Sequence, residues 1–527
     1  MKGFFRISSL IVICVIILSC RNAGNKKTLG EESKSGYYNE QYRPQYHFSP
    51  ETGWMNYPNG LVYYAGEYHL FYQYYPDSTV WGPMHWGHAV SPDLIQWKHL
   101  PVALSPDSLG YIFSGSAVVD SANTSGFGSH EKPPMVAIFT YHNPELERTG
   151  SNKFQSQAIA FSLDRGRTWT KYSGNPVLKN PGIRDFRDPK MFWHPGTKKW
   201  DVILAAHDRV QIYSSPDLKK WTFESEFGIG IGAHGGVWEC PDLFPLKVEG
   251  TDIPKWVMLV SINPGGPNGG SAIQYFTGGF DGHKFAPDDT NTKWVDWGTD
   301  DYAGVTWSDI PEKDGRRLFI GWMSNWQYAT VVPTKVWRSS NTIPRELSVK
   351  VEKGHYFLTS RPVREFGDLR RRADTTTIKQ QTFEGEMNIS AERITLMQSE
   401  LLFGFNLTDN RADTMGIILE NNLKERLIIG YCSAQKQFYI DRRSAGNSGF
   451  SKKFAGISTV PYKPGAILKL HFFIDASSVE LFVDDGSLVM TTLVFPTEKY
   501  NSLKLFSKGG RSILNKAMLY GIDKIWK

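Results

Sequence analysis

Apolar residues in this chain come in short runs rather than in helical stripes. Leu61-Val62-Tyr63-Tyr64, Tyr68-His69-Leu70-Phe71-Tyr72, Trp200-Asp201-Val202-Ile203-Leu204 and Trp256-Val257-Met258-Leu259-Val260 are rich in branched and aromatic residues, and Gly, Pro and Asn-Gly punctuate them. That pattern predicts strands and tight turns. Branched and aromatic side chains fit a pleated surface, while Gly and Asn tolerate the reversed backbone of hairpin turns. No amphipathic helix of ordinary length is predicted before residue 350. One turn motif repeats: Ser91-Pro92-Asp93-Leu94-Ile95-Gln96-Trp97 returns as Ser215-Pro216-Asp217-Leu218-Lys219-Lys220-Trp221. With one extra residue it returns as Ser162-Leu163-Asp164-Arg165-Gly166-Arg167-Thr168-Trp169. The Asp can accept from the turn's N–H groups and the Trp can pack back on the sheet. A hairpin recurring at this spacing, with no long helix between copies, predicts a β-propeller of four-stranded blades.

Further alternating runs follow, at 417–419, 468–474 and 479–483, and predict a second, smaller all-β unit, a sandwich. Between the two, Arg361-Pro362 and the basic run Arg370-Arg371-Arg372 mark a linker. The chain is therefore expected to be all-β, with a propeller over 43–355, a linker over 356–372 and a sandwich over 373–527. A length of 527 residues agrees with two domains, since one core rarely serves so long a chain.

The first twenty residues read differently. Lys2 and Arg6 precede the apolar stretch Ile11 to Leu18, which ends in Ile17-Leu18-Ser19-Cys20. This resembles a bacterial lipoprotein signal, too short for a membrane span, in which Cys20 takes the lipid. Residues 21–42 form a polar tether. The expected localisation is export, with lipid anchoring to a bacterial membrane at the cell surface or periplasmic face, and membrane contact through that anchor only. Beyond Cys20 only Cys240 and Cys432 remain, with neither metal-ligand nor disulfide spacing. No Gly-rich loop opens a helix, so no metal or organic cofactor is expected. The net charge of +6 is mild and forms no stripe, which argues against a nucleic-acid partner. Aromatics reach 14%, with 17 Trp, which suits sugar stacking as well as a β-rich core.

Three segments carry the chemistry: Trp54-Met55-Asn56-Tyr57-Pro58-Asn59-Gly60, Phe186-Arg187-Asp188-Pro189-Lys190 and Val237-Trp238-Glu239-Cys240-Pro241-Asp242. In a propeller the inner strands of successive blades bring such residues together at the central funnel. With Phe71-Tyr72-Gln73-Tyr74, Trp81-Gly82-Pro83, Phe113-Ser114-Gly115-Ser116, Ser261-Ile262-Asn263-Pro264, Asp300-Asp301-Tyr302-Ala303-Gly304 and Gly321-Trp322-Met323-Ser324-Asn325-Trp326, they resemble glycoside hydrolase family 32. This is the family of levanases, inulinases and invertases, and the levanase and inulinase branch is the nearest in pattern. The resemblance runs from about residue 43 to the end.

It implies a five-bladed propeller followed by a β-sandwich, a fructan or fructo-oligosaccharide partner, and retaining hydrolysis of β-fructosidic bonds by two carboxyl groups. By position Glu239 is the acid/base and Asp188 the transition-state stabiliser. Arg187 orients carboxylates and hydroxyls. Asn56, Gln73, Trp81, Phe113, Ser114, Asp300, Tyr302 and Trp326 match residues lining the fructose subsite.

One position departs from the family pattern. Tyr57 stands where the family has the nucleophile Asp. A carboxylate is ionised at pH 7; a phenol of pKa about 10 is not. Three readings follow. The protein is a silent fructan-binding relative; or it hydrolyses fructans through another carboxylate or through Tyr57, as sialidases use Tyr; or Tyr57 is a one-base variant of an active enzyme. An arabinan-hydrolase-like propeller and a purely structural lipoprotein are more distant alternatives.

Overall fold

The computed structural model describes residues 37–526; the expected signal segment with Cys20, and the tether up to residue 36, lie outside the described residues. Five antiparallel sheets follow one another along the chain. Blade 1 is Gly53–Tyr64, Glu67–Tyr75, His85–Ser91 and Lys98–Leu104; blade 2 is Tyr111–Val119, Met135–His142, Gln155–Ser162 and Thr170–Lys171. Blade 3 is Phe186–His194, Lys199–Ala206, Val210–Ser215 and Thr222–Phe227. Blade 4 is Val237–Lys247, Pro254–Asn263, Ala272–Phe280 and Phe285–Pro287, with Lys293–Trp294 added to its third strand. Blade 5 is Tyr302–Thr306, Arg317–Met323, Arg345–Glu352 and His355–Pro362.

The first strands of successive blades lie against one another, and the fifth lies against the first. This makes a closed five-bladed propeller. A short strand, Trp337–Arg338, leaves blade 5 and pairs in parallel with Gly53 and Trp54 of blade 1. That pairing closes the ring and covers an edge that would otherwise carry free backbone groups.

The repeated Ser-x-Asp turn joins the third and fourth strands of blades 1 to 3. Asp93 Oδ1 accepts from the N–H groups of Ile95 and Gln96, and Asp217 Oδ1 from those of Lys219 and Lys220. In the looser copy Asp164 accepts from Thr168. Leu94 and Leu218 sit in the left-handed region at φ 68° and 63°, and both are fully buried. Burial of the leucine side chain offsets the cost of that backbone.

The stretch expected as a linker is mostly strand. His355–Pro362 is the outer strand of blade 5, paired with Arg345–Glu352 along its whole length. Arg370 and Arg371 open the first strand of the second unit, Arg370–Ile378. Only 363–369, including one short turn of 3₁₀ helix, connect the two units. The basic residues that suggested a solvated linker are ion-paired on structured elements: Arg361 with Glu249, Arg370 with Glu400 and Arg371 with Asp374.

The second unit is a β-sandwich built on the 21-residue strand Ser502–Ile522. Its first third pairs with Thr414–Glu420 and its last part with Ser399–Asn406. The change of partner falls at Gly509-Gly510, both with positive φ. A Cβ on Gly510 would meet the Arg411 carbonyl oxygen at 2.3 Å, so this corner calls for glycine. The sandwich encloses its own apolar core, including Leu401, Ile417, Leu470, Leu481 and Leu505.

Propeller and sandwich pack as one body through buried charge. Arg345 of blade 5 donates to Glu480 and Thr491 of the sandwich and to Asp296 and Asp301 of the propeller. His47, just before blade 1, lies between Asp475 at 2.7 Å and Glu480 at 2.9 Å.

Candidate active site

Each inner strand is interrupted at the same place, near its first residues. Register breaks fall at Asn56-Tyr57 in blade 1, Phe113-Ser114 in blade 2, Asp188-Pro189 in blade 3, Cys240-Pro241 in blade 4 and Ala303-Gly304 in blade 5. The five strands align as Asn56-Tyr57-Pro58, Phe113-Ser114-Gly115, Arg187-Asp188-Pro189, Glu239-Cys240-Pro241 and Tyr302-Ala303-Gly304. In blades 3 to 5 the break takes in the third residue of the triplet, Pro189, Pro241 or Gly304, while in blades 1 and 2 pairing resumes at that residue, Pro58 or Gly115. Proline has no N–H to give the ladder, and the two glycines leave no room for a side chain. A Cβ on Gly115 would lie 1.9 Å from the Ile138 carbonyl oxygen, and one on Gly304 2.2 Å from the Phe319 ring. A bulge re-aims side chains, and those around this axis bring Asn56, Tyr57, Phe113, Ser114, Arg187, Asp188 and Glu239 to one pocket. Asp188, Cys240 and Ala303 take positive φ of 63°, 44° and 52° to do so.

The bulges open into a pocket of about 460 Å³. Ten of the residues expected at a fructose subsite line it: Asn56, Tyr57, Gln73, Trp81, Phe113, Ser114, Arg187, Asp188, Glu239 and Trp326. Arg187 organises the carboxylates. Its Nη1 donates to Asp185 at 2.6 Å, its Nη2 and Nε to Glu239 Oε1 at 3.1 and 3.3 Å, and its Nε lies 3.8 Å from Asp188. Burial works against the guanidinium charge, but Glu239, Asp188 and Asp185 overcome it and hold its pKa well above the ordinary value. Asp188 is raised to about 7, chiefly by burial; Arg187 lowers it and Glu239 raises it again. Its Oδ2 accepts from the backbone N–H of Cys240 at 3.1 Å.

Tyr57 closes the floor. Its hydroxyl donates to Glu239 Oε2 at 3.0 Å and accepts from Trp326 Nε1 at 2.5 Å. Its ring meets those of Tyr302, Trp322 and Trp326 edge-on. Burial, and then the neighbouring Glu239, lift the phenol well above its ordinary pKa, so it stays neutral at physiological pH. The carboxylate in reach of the phenol is Glu239, the same group expected to protonate the leaving oxygen. Tyr302 is fully buried behind the wall and donates to Glu239 Oε2 at 2.5 Å. It touches the site through Glu239 rather than facing the pocket.

Asp300 does not enter the site. It is fully buried at the sandwich junction, where it accepts from Arg442 Nη1 at 2.6 Å, Tyr328 at 2.5 Å and the Leu493 N–H at 2.9 Å. Asp300 lies in the bend that precedes the strand Tyr302–Thr306, and its hydrogen bonds turn it toward the sandwich.

The pocket also holds residues that sequence reasoning did not single out for the subsite: His142, Glu147, Phe154, Gln155, Asp185, Val237 and Asn263. Asp185 lies two residues before Arg187, just ahead of the strand, and accepts from Arg187 Nη1. His142 and Gln155 are cross-strand neighbours at the top of blade 2. Glu147 sits on a single helical turn, Pro144–Arg148, capped by Asn143, whose side chain accepts from the N–H groups of Glu145 and Leu146. Asn followed by Pro-Glu was the readable signal. Burial, and then Arg187, push His142 down to about 4, so it is neutral, and it stacks on Phe113 at 4.3 Å. Among the described residues no cluster of His, Cys, Asp and Glu could hold a metal ion.

Comparison with known proteins agrees with this architecture. Residues 47–362 match the model of the glycosyl hydrolases family 32 N-terminal domain, and 365–520 the family's C-terminal model. A levanase of Bacillus subtilis is 47% identical over 504 residues, covering 94% of this chain and 72% of that protein. An extracellular exo-inulinase of Aspergillus niger is 40% identical over 522 residues, covering 93% and 96%. Among solved structures, the exo-inulinase of Aspergillus awamori superposes with a TM-score of 0.85 at 38% identity, covering 93% of this chain and all of that one, 100%. A fructofuranosidase from Schwanniomyces occidentalis complexed with fructosylnystose gives 0.84 at 34% identity, covering 93% and 99%.

Proposed function

From the premise that the chain belongs to glycoside hydrolase family 32, we propose that its funnel is a fructan site of the levanase and inulinase type. It takes a terminal fructosyl unit, with Glu239 as acid/base, Asp188 as stabiliser and Tyr57 standing in the nucleophile's place. The supporting observation is that Glu239 and Asp188 flank Arg187 on one pocket with an exposed Trp81 at its rim. Carboxyl groups held by one guanidinium suit a sugar whose hydroxyls need acceptors, and an exposed indole suits its apolar face.

Hydrolysis would proceed with inward side chains doing three things. A carboxylate at position 57 attacks the anomeric carbon, Glu239 gives a proton to the leaving oxygen and then takes one from water, and Asp188 accepts from fructose hydroxyls. Tyr57 interrupts the first of these. Its phenol is neutral, and the base in hydrogen-bond reach is the carboxylate that must also serve the leaving group. A chain with Tyr57 is thus a fructan glycosidase whose covalent step is throttled.

A second reading is favoured by the same hydrogen bonds: a silent fructan-binding protein, held at a bacterial membrane through Cys20. Tyr57, Trp326, Tyr302 and Arg187 together occupy both oxygens of Glu239 directly or through one another. Levan, inulin and sucrose, each incubated with the purified chain, separate the two. Fructose release that Glu239→Gln removes supports the throttled glycosidase. Saturable binding with no release supports the silent binder. Neither binding nor release with any of the three sinks both.

A further inference from the structure

The Asp that fails to reach the pocket points to a role for the sandwich. Trp326 is presented by a stretch without strands, 324–336, between Met323 and Trp337. Its backbone N–H is held by Ser271 Oγ at 3.1 Å. The neighbouring fastenings run to the segment before Tyr302: Asn325 Nδ2 donates to the Thr299 carbonyl at 2.8 Å, and Tyr328 donates to Asp300 at 2.5 Å.

That segment is gripped from the sandwich. Asp300 Oδ2 takes the Leu493 N–H and Arg442 Nη1, and the Asp300 N–H reaches the Thr491 carbonyl at 3.3 Å. Arg442 also donates to Tyr328 at 2.8 Å, to Thr492 at 3.2 Å and to the Phe454 carbonyl at 2.6 Å, with its guanidinium 4.0 Å from the centre of the Phe454 ring. A planar fork with its nitrogens engaged is a rigid brace. Two residues beyond Asp300, Tyr302 meets Glu239; two residues before Tyr328, Trp326 meets Tyr57.

We propose that Arg442, on the sandwich, is a positioning residue for the pocket: through Asp300 and Tyr328 it fixes the loop that holds Trp326 against Tyr57. The second domain then completes the site without touching the sugar. An error of about 1 Å in such a group is enough to cost on the order of a hundredfold in a tightly oriented site.

Two variants test this, Tyr328→Phe and Arg442→Lys, beside Arg361→Ala as control. Arg361 joins blades 4 and 5 to the sandwich through Glu249 and the Asp485 carbonyl, with no path to Trp326 among these contacts. The first readout needs no ligand: the Trp326 indole N–H signal in an ¹⁵N-tryptophan-labelled chain, assigned by its loss in Trp326→Phe. The second is affinity for a fructo-oligosaccharide, and the third is Tm. The expected result is a shifted or broadened Trp326 signal and affinity about tenfold weaker in Tyr328→Phe. Arg361→Ala, at an exposed ion pair, should leave signal and affinity unchanged and lower Tm only slightly. An unmoved Trp326 signal in Arg442→Lys, with Tm alone lowered, overturns the proposal, whatever Tyr328→Phe does. The affinity arm rests on the fructan reading of the pocket. If the native chain binds no fructo-oligosaccharide, that reading falls, and the indole signal alone decides the role of Arg442.

Discussion

Two arginines among the described residues each gather several carboxylates, Arg345 at the propeller–sandwich junction and Arg187 in the funnel. At the junction, Arg345 meets Glu480, Asp296, Asp301 and Thr491, and each of its nitrogens ends on a protein acceptor. In the funnel, Arg187 also meets carboxylates, but beside an open pocket, on backbone bent into the left-handed region at Asp185 and Asp188. The nearby Gln155 Oε1 has no partner. Similar residue types do different work in the two places. The junction meets its charges from within except at Asp301 Oδ1 and so fixes one geometry, whereas the funnel keeps strained backbone beside an open pocket where a ligand's hydroxyls can meet polar side chains.

Perturbing the funnel should damage chemistry with little loss of fold. In a Tyr57→Asp background, Glu239→Gln should lower fructose release by about 10³-fold, within the usual range for removing an acid/base, while thermal unfolding shows a stable fold. Unchanged release would mean that another group protonates the leaving oxygen. Perturbing the junction should do the reverse. Arg345→Met leaves Glu480, Asp296 and Asp301 without their cation and should cost about 3–5 kcal/mol in denaturant unfolding. A loss under 1 kcal/mol would contradict the rigid-junction side of the comparison.

The junction also carries a pH signature. Burial lowers the His47 pKa, but hydrogen bonds to Asp475 and Glu480 outweigh it and raise the group to about 9. A folded pKa above the unfolded one means the stabilisation is fully present below about pH 6.5 and is lost as pH rises through 9. Its size is on the order of 3 kcal/mol. Tm should therefore fall between pH 7 and pH 9.5, and His47→Gln should flatten that slope; an equal slope in both proteins would remove His47 as its source. The smallest effect is expected at the rim. Trp81 is 40% exposed, so Trp81→Ala should leave Tm nearly unchanged and weaken fructo-oligosaccharide binding about fivefold, the worth of one stacking face.

The contrast also explains what was legible beforehand. Strands, turns and the propeller followed from the Ser-x-Asp repeat, because that turn satisfies its own N–H groups locally and so leaves a local record. The inner-strand triplets carry a record too, in Pro58, Pro189 and Pro241 with Gly115 and Gly304 in their place, although it is too diverse in its first two residues to read as a repeat. The place of Asp300 at the junction is not legible in the sequence, because the direction of its side chain depends on a partner 142 residues away, Arg442. The linker was misread because arginine pairs on a strand look like solvated charge until their carboxylates are placed. His142, Gln155 and Glu147 come from the edge of blade 2, where proximity to the pocket is set by the closure of the ring.

We propose that the funnel wants only a carboxylate at position 57. This is tested most directly by fructose release from levan and inulin, comparing the chain as it stands with Tyr57→Asp and Tyr57→Phe. A gain of at least about a thousandfold is expected for Tyr57→Asp, since losing a covalent nucleophile costs up to roughly a millionfold, and no loss for Tyr57→Phe. Turnover by the unaltered chain that Tyr57→Phe abolishes would contradict it and make Tyr57 itself the nucleophile.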